Sequence, residues 1–165
     1  YLPDAWLTLW ERNLLATVLF TGAAITDWLD GWLARRWNQV SSFGAFLDPV
    51  ADKLIVAAAL IVLVELSRVN AIIAFIIIGR EITISALREW MAKVGETRSV
   101  AVNMLGKIKT VAQLVAIPML LYHDPIGPLQ PQRVGTWLIW VAALLTVVSM
   151  VYYLKLAAPR AFNAR

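Results

Sequence analysis

The sequence predicts an all-α, polytopic membrane helix bundle, and three observations carry that prediction. The first is composition. Hydrophobic residues make up 60% of the 165 and charged residues 16%, against roughly 45–50% and 25% in soluble domains. The second is a set of five apolar runs, each close to the roughly 20 residues that cross a bilayer as a helix. The third is the placement of Lys and Arg, which gather on alternate sides of those runs. A chain of this length is one domain by prior. The same composition excludes a disordered chain, a nucleic-acid-binding arm and an ordinary soluble fold. The absence of Cys and the single His, His123, exclude a disulfide scaffold, a thiolate metal site, a Cys nucleophile and a His-cluster metal centre.

Residues 1–13 carry Asp4, Glu11 and Arg12, with Trp6 and Trp10 one turn apart. A signal peptide needs a basic start and an apolar run, so this stretch reads instead as an interfacial segment. The chain opens on Tyr1, not Met, which leads us to expect a preceding piece. The first apolar run spans 14–33, the second 43–64, the third 71–91, the fourth 100–122 and the fifth 134–154, the last without one charge. Only helices and closed barrels cross lipid, and these runs lack the alternation of a barrel strand. The loop at 123–133 holds Pro125, Gly127, Pro128 and Pro131 and cannot continue a helix. These boundaries predict an interfacial segment at 1–13, a transmembrane catalytic domain at 14–158 and a cytoplasmic tail at 159–165.

Orientation follows from the basic residues. Arg35, Arg36, Lys53, Arg88, Lys93, Arg98, Lys107, Lys109, Lys155, Arg160 and Arg165 fall on one side, Arg12, Arg68 and Arg133 on the other, and Arg80 lies within a run. The first side is therefore cytoplasmic. Beside Asp124 in the outer loop, His123 reads as a solvated residue. Glu65 reads as interfacial, and the eight Trp as belt or packing residues.

The chemistry gathers at the cytoplasmic end of the first two runs. Asp27 and Asp30 are i,i+3 and share a helix face; Asp48 and Asp52 are i,i+4 and share another. A carboxylate in the bilayer centre costs about 2.5–3.5 kcal/mol on insertion scales, so four of them within 26 residues need compensation. Two antiparallel helices on a short loop would bring the pairs together, where they would repel unless divalent cations cancelled their charge. Oxygen-only ligands suit Mg or Mn and disfavour Zn. Gly31, Ala34 and Gly44 are small and lie on the carboxylate faces, which admits a close ligand or a packed backbone. Arg35 lies one turn beyond Gly31, in reach of a phosphate.

The spacing Asp27, Asp30, Gly31, Ala34, Arg35, then eight residues, then Gly44, Asp48 and Asp52 resembles the CDP-alcohol phosphotransferase signature D-x2-D-G-x2-A-R-x8-G-x3-D-x3-D at all eight fixed positions. The stretches TDWLDGWLARRWN at 26–38, FGAFLDPVADK at 43–53 and GREITISALREW at 79–90 look closest to bacterial members that use glycerol phosphate. The resemblance covers residues 24–109 well and the rest loosely. It implies six transmembrane helices in a homodimer. Five are readable here, so the family's first helix is expected to be missing from this chain. It implies transfer of a phosphatidyl group from CDP-diacylglycerol to an alcohol, here sn-glycerol 3-phosphate, with release of CMP. Two divalent cations, Mg or Mn, would sit on Asp27, Asp30 and Asp48, with Asp52 beside the metal as general base. Gly31, Ala34, Arg35 and Gly44 would contact the cytidine diphosphate. The site would face the cytoplasm at a bacterial inner membrane, among membrane lipid and with no nucleic-acid partner.

A phosphorylated acceptor needs a basic pocket. Glu81, Ser85 and Arg88 share one helix face, and Arg88 suits the phosphate. Lys107 and Lys109 are two apart, so at most one faces the site squarely; the alternative is headgroup anchoring. Arg80 lies deeper and either pairs with a carboxylate or meets the substrate. The motif leaves other acceptors open, namely phosphatidylglycerol, serine and inositol phosphate. A prenyltransferase would show different Asp spacing. A cation transporter using the four Asp is the non-enzymatic reading, and it would not turn over CDP-diacylglycerol.

Overall fold

The computed structural model describes residues 7–37, 42–93 and 104–163. Five helices follow one another: α1 Leu9–Trp37, α2 Ser42–Glu65, α3 Ala71–Lys93, α4 Met104–Tyr122 and α5 Pro131–Asn163. The described residues contain no strand, only a bridge between Ile126 and Leu129 around the positive-φ Gly127. The five apolar runs are thus five helices, and α1, α2, α3 and α5 are longer than their runs. α1 starts at Leu9 because Thr8 and Glu11 form a reciprocal cap. The Thr8 N–H donates to Glu11 Oε2 at 2.7 Å and the Glu11 N–H donates to Thr8 Oγ1 at 3.3 Å. Those bonds hold the Glu11 carboxyl below its ordinary pKa, the backbone bond from Thr8 most of all. The expected boundary between an interfacial segment and the bundle at 13/14 therefore falls inside α1, and the one at 158/159 falls inside α5.

Local chemistry sets the other ends. Asn70 Oδ1 accepts the Ile72 N–H at 2.8 Å and caps α3. Pro131 opens α5, where a missing N–H costs no helical bond. The turn after α2 passes through Ser67 at φ 57°, so that the Arg68 N–H returns to the Leu63 carbonyl at 2.9 Å. Hydroxyls within the helices bond their own backbone: Thr17 to Asn13, Thr83 to Gly79, Ser85 to Glu81 and Thr136 to Gln132.

Helix α4 packs most extensively against α5, and α1 touches both α2 and α4; α3 lies between α2 and α5. The apolar core collects Phe20, Leu60, Leu63, Ile77, Leu120 and Ile139 with their neighbours, all toward the end of the bundle that carries the α2–α3 and α4–α5 turns. Gly135 lets α5 approach α4 there. A Cβ at this position would lie 2.8 Å from Leu120 Cγ and 3.1 Å from the Ala116 carbonyl oxygen, and Leu120 is fully buried. Gly135→Ala is therefore expected to destabilise the bundle by about 1–3 kcal/mol, read as a lower thermal midpoint in detergent; an unchanged midpoint would show that the two helices part without cost.

Large apolar side chains face outward on every helix, among them Leu19, Leu54, Phe75, Val111 and Trp137. Among the described residues one stretch, Pro131–Val151, is long and apolar enough by itself to cross a membrane, and Ile108–Tyr122 is a shorter apolar helix. The other helices carry charge within their length: Asp27 and Asp30 in α1, Asp52 and Lys53 in α2, Arg80 and Glu81 in α3.

The turn-bearing end holds a polar knot where the sequence suggested free loops. Arg68 Nη1 donates to the Leu121 and Leu120 carbonyls at 2.7 and 3.1 Å, and Arg68 Nη2 donates to Asn13 Oδ1 at 2.6 Å. Asn13 Nδ2 then donates to Asp124 Oδ2 at 3.1 Å. His123 is not a freely solvated residue. It sits at φ 64° with its Nδ1 buried and unpartnered. Burial, and then the Arg68 charge, lower its pKa below the ordinary imidazole value, against the pull of Asp124.

Candidate active site

The carboxylates lie at the opposite end. Asp27 and Asp30 occupy the last third of α1 and Asp52 the first half of α2, and the two helices pack together. Asp27 is half-buried, while Asp30 and Asp52 are open to solvent. Gly31 and Gly44 are half-buried on the same two helices. The side chains of Ala34, Arg35, Asp48, Arg88 and Lys107 lie outside the described residues. Among the described residues no group of three or more His, Asp or Glu gathers closely enough to hold a metal ion. Asp52 feels the charges of Asp27 and Glu81 on one side and of Lys53 and Lys109 on the other. One carboxylate from each helix and a lysine from α4 thus share one electrostatic neighbourhood.

The interior beside that neighbourhood is polar. Lys109 is buried at 1% exposure, and its Nζ pairs with Glu81 Oε1. Lys109 points inward because a carboxylate on α3 faces it. Arg80 is buried as well. Its Nη1 lies 3.4 Å from Glu81 Oε1 and its Nη2 donates to Ser149 Oγ at 3.4 Å. Ser149 Oγ in turn donates to the Thr146 carbonyl. Gln113, one turn beyond Lys109 on α4, is 4% exposed. Gln113 Nε2, Arg80 Nε and Thr146 Oγ1 are buried with no hydrogen-bond partner.

Of the residues expected at the acceptor phosphate, Arg80 and Lys109 are brought together through Glu81. Ser85 instead lines a cavity of about 670 Å³ between α2 and α3, with Lys53, Leu54, Glu81 and Glu89 on the same walls. Sequence reasoning did not single out Gln113, Thr146 or Ser149. The available signal was spacing: Gln113 is i+4 from Lys109, and Thr146 and Ser149 are i,i+3 on an otherwise apolar helix. Arg36 lies over the ring of Trp32 at 5.3 Å on α1, a cation–π contact.

The model for CDP-alcohol phosphatidyltransferases matches residues 4–148. Curated relatives include the CDP-diacylglycerol–glycerol-3-phosphate 3-phosphatidyltransferases of Salmonella typhimurium (strain LT2) and Shigella flexneri, each 50% identical over 159 residues. The same-named protein of Escherichia coli (strain K12) is 49% identical over 159 residues. In each case the alignment covers 95% of this chain and 83% of the relative.

Proposed function

We propose a reaction and a site on the premise that this chain belongs to the CDP-alcohol phosphatidyltransferase family. The chain transfers a phosphatidyl group from CDP-diacylglycerol to sn-glycerol 3-phosphate, giving phosphatidylglycerophosphate and CMP. The relatives at 50% identity carry the name of that reaction. The glycerol hydroxyl oxygen bonds to the phosphatidyl phosphorus, the bond from that phosphorus to CMP breaks, and the hydroxyl proton passes to a base. The observation that carries the site assignment is the shared neighbourhood of Asp27, Asp52, Glu81 and Lys109.

Asp52 accepts the hydroxyl proton. It is solvent-open, so the proton leaves to water afterwards. Gly31, Ala34, Arg35 and Gly44 hold the cytidine diphosphate, the glycines by admitting a flat ligand close to the backbone and Arg35 by pairing with phosphate oxygens. Lys109, Arg80 and Arg88 bind the acceptor phosphate, with Ser85 and Lys107 as further contacts. Asp27, Asp30, Asp48 and Asp52 are an oxygen-only donor set, which fits hard cations. Two Mg or Mn ions held there would supply charge neutralisation for the diphosphate and the departing CMP.

The bundle sits in a bacterial inner membrane with all five helices crossing. The outward apolar side chains on every helix support this, since a lipid-facing surface needs no polar cover. The carboxylate end faces the cytoplasm and the α2–α3 and α4–α5 turns face outward. Residues 1–13 lie at the outer interface, 14–158 form the catalytic domain and 159–165 the cytoplasmic tail. The working unit is a homodimer.

The test is CMP release by purified protein given CDP-diacylglycerol and Mg or Mn, with sn-glycerol 3-phosphate, phosphatidylglycerol, serine and inositol phosphate supplied one at a time. Turnover with glycerol phosphate alone, abolished by a chelator, is expected. Turnover only with another acceptor would keep the mechanism and change the substrate. No CMP from folded protein with any acceptor would remove the enzymatic reading.

A further inference from the structure

Among the described residues no Cα of α3 lies within 8 Å of a Cα of α4, yet Lys109 of α4 reaches across to Glu81 of α3. The ion pair bridges two helices whose backbones stay apart. Arg80 joins it from the α3 side. Arg80 Nε and Gln113 Nε2 add two buried donors without partners. Unsatisfied buried donors are costly and rare. Two buried cations and two unpartnered donors on α3 and α4 are groups that an oxyanion would satisfy. Asp52 feels the charges of both Glu81 and Lys109.

We propose that Glu81 is the positioning residue of the acceptor pocket: it holds the Lys109 ammonium between α3 and α4, so that the acceptor's phosphate meets a cation already in place. The proposal rests on the reading of glycerol phosphate as the acceptor. The physical reason is the lysine stem. Four rotatable carbons leave an unheld ammonium many positions, and ordering it at the moment of binding would weaken the acceptor's affinity. Glu81 orders it beforehand. Because Glu81 is itself anionic, it also discourages the diphosphate of the lipid substrate from settling on the same lysine.

Glu81→Gln keeps the shape and one acceptor oxygen and removes the charge. Steady-state CMP release in the full chain is expected to show an acceptor KM raised about 3–10-fold, the cost of ordering one long side chain. The KM for CDP-diacylglycerol and kcat at saturating acceptor should stay near those of the parent. The exchanged pair, Glu81→Lys with Lys109→Glu, separates positioning from simple stability. It should recover the thermal midpoint lost in either single variant and leave the acceptor KM impaired. An unchanged acceptor KM in E81Q, or an exchanged pair that recovers that KM, would overturn the proposal. If E81Q does not fold, Glu81→Asp carries the test: it keeps the charge and withdraws it by one methylene, so the acceptor KM should rise, and no rise would be equally decisive. Failure of the acceptor reading itself would show in the parent protein, as turnover with some other alcohol only.

Discussion

Asp52→Asn is expected to lower kcat for CMP release by about 10²–10⁴-fold, the usual contribution of a general base. Asparagine is nearly isosteric and cannot take the hydroxyl proton. A base acts in the transition state, so kcat and kcat/KM should fall together while the acceptor KM changes little. Asp52 lies at an open rim, so the substitution removes no buried contact and the thermal midpoint should hold. The competing role, a ligand to the cations only, predicts something different: activity that returns as Mg or Mn is raised. A loss smaller than tenfold, or full rescue by added cation, would remove Asp52 as the base.

The second large effect concerns stability. Arg68→Ala is expected to destabilise the bundle by about 2–4 kcal/mol, because charge-assisted bonds contribute about 1.5–3 kcal/mol each and do not add fully. Arg68 satisfies the Leu120 and Leu121 carbonyls, which the end of α4 leaves without helical partners, and its positive charge suits that helix terminus. It also holds Asn13 of α1, which holds Asp124. One side chain therefore ties α1, the α2–α3 turn and the α4–α5 turn. Unfolding in detergent by a fluorescence or circular-dichroism probe would read the loss. Asp52 and Glu65 are thirteen residues apart along α2, about 20 Å of helix rise, so turnover per folded molecule should be preserved. Parent-like stability would mean that water replaces the guanidinium at no cost. A double-mutant cycle with Asn13→Ala would isolate their shared bond.

Much of the architecture is legible in the residues alone. Five apolar runs become five helices because helical periodicity and run length are local properties. The Asp27–Asp52 constellation is legible for the same reason: i,i+3 and i,i+4 spacings place carboxylates on one face whatever surrounds them. The start of α1 is legible too, since Thr8 and Glu11 have capping-box spacing. His123 and Arg68 looked like loop residues because nothing local announces that the α4 terminus and Asn13 lie within reach.

By itself the sequence determined the helical class, the order of the elements and the family, because each depends on spacing along one or two adjacent helices. Only the tertiary structure decided where the long cations point. Lys109 could equally have reached a headgroup, and Arg80 some other carboxylate, by any argument from periodicity. The distance between α3 and α4, and the presence of Glu81 and Ser149 on the facing helices, turn both inward. A buried charge takes the partner that geometry offers it, and that geometry is a property of the packed bundle.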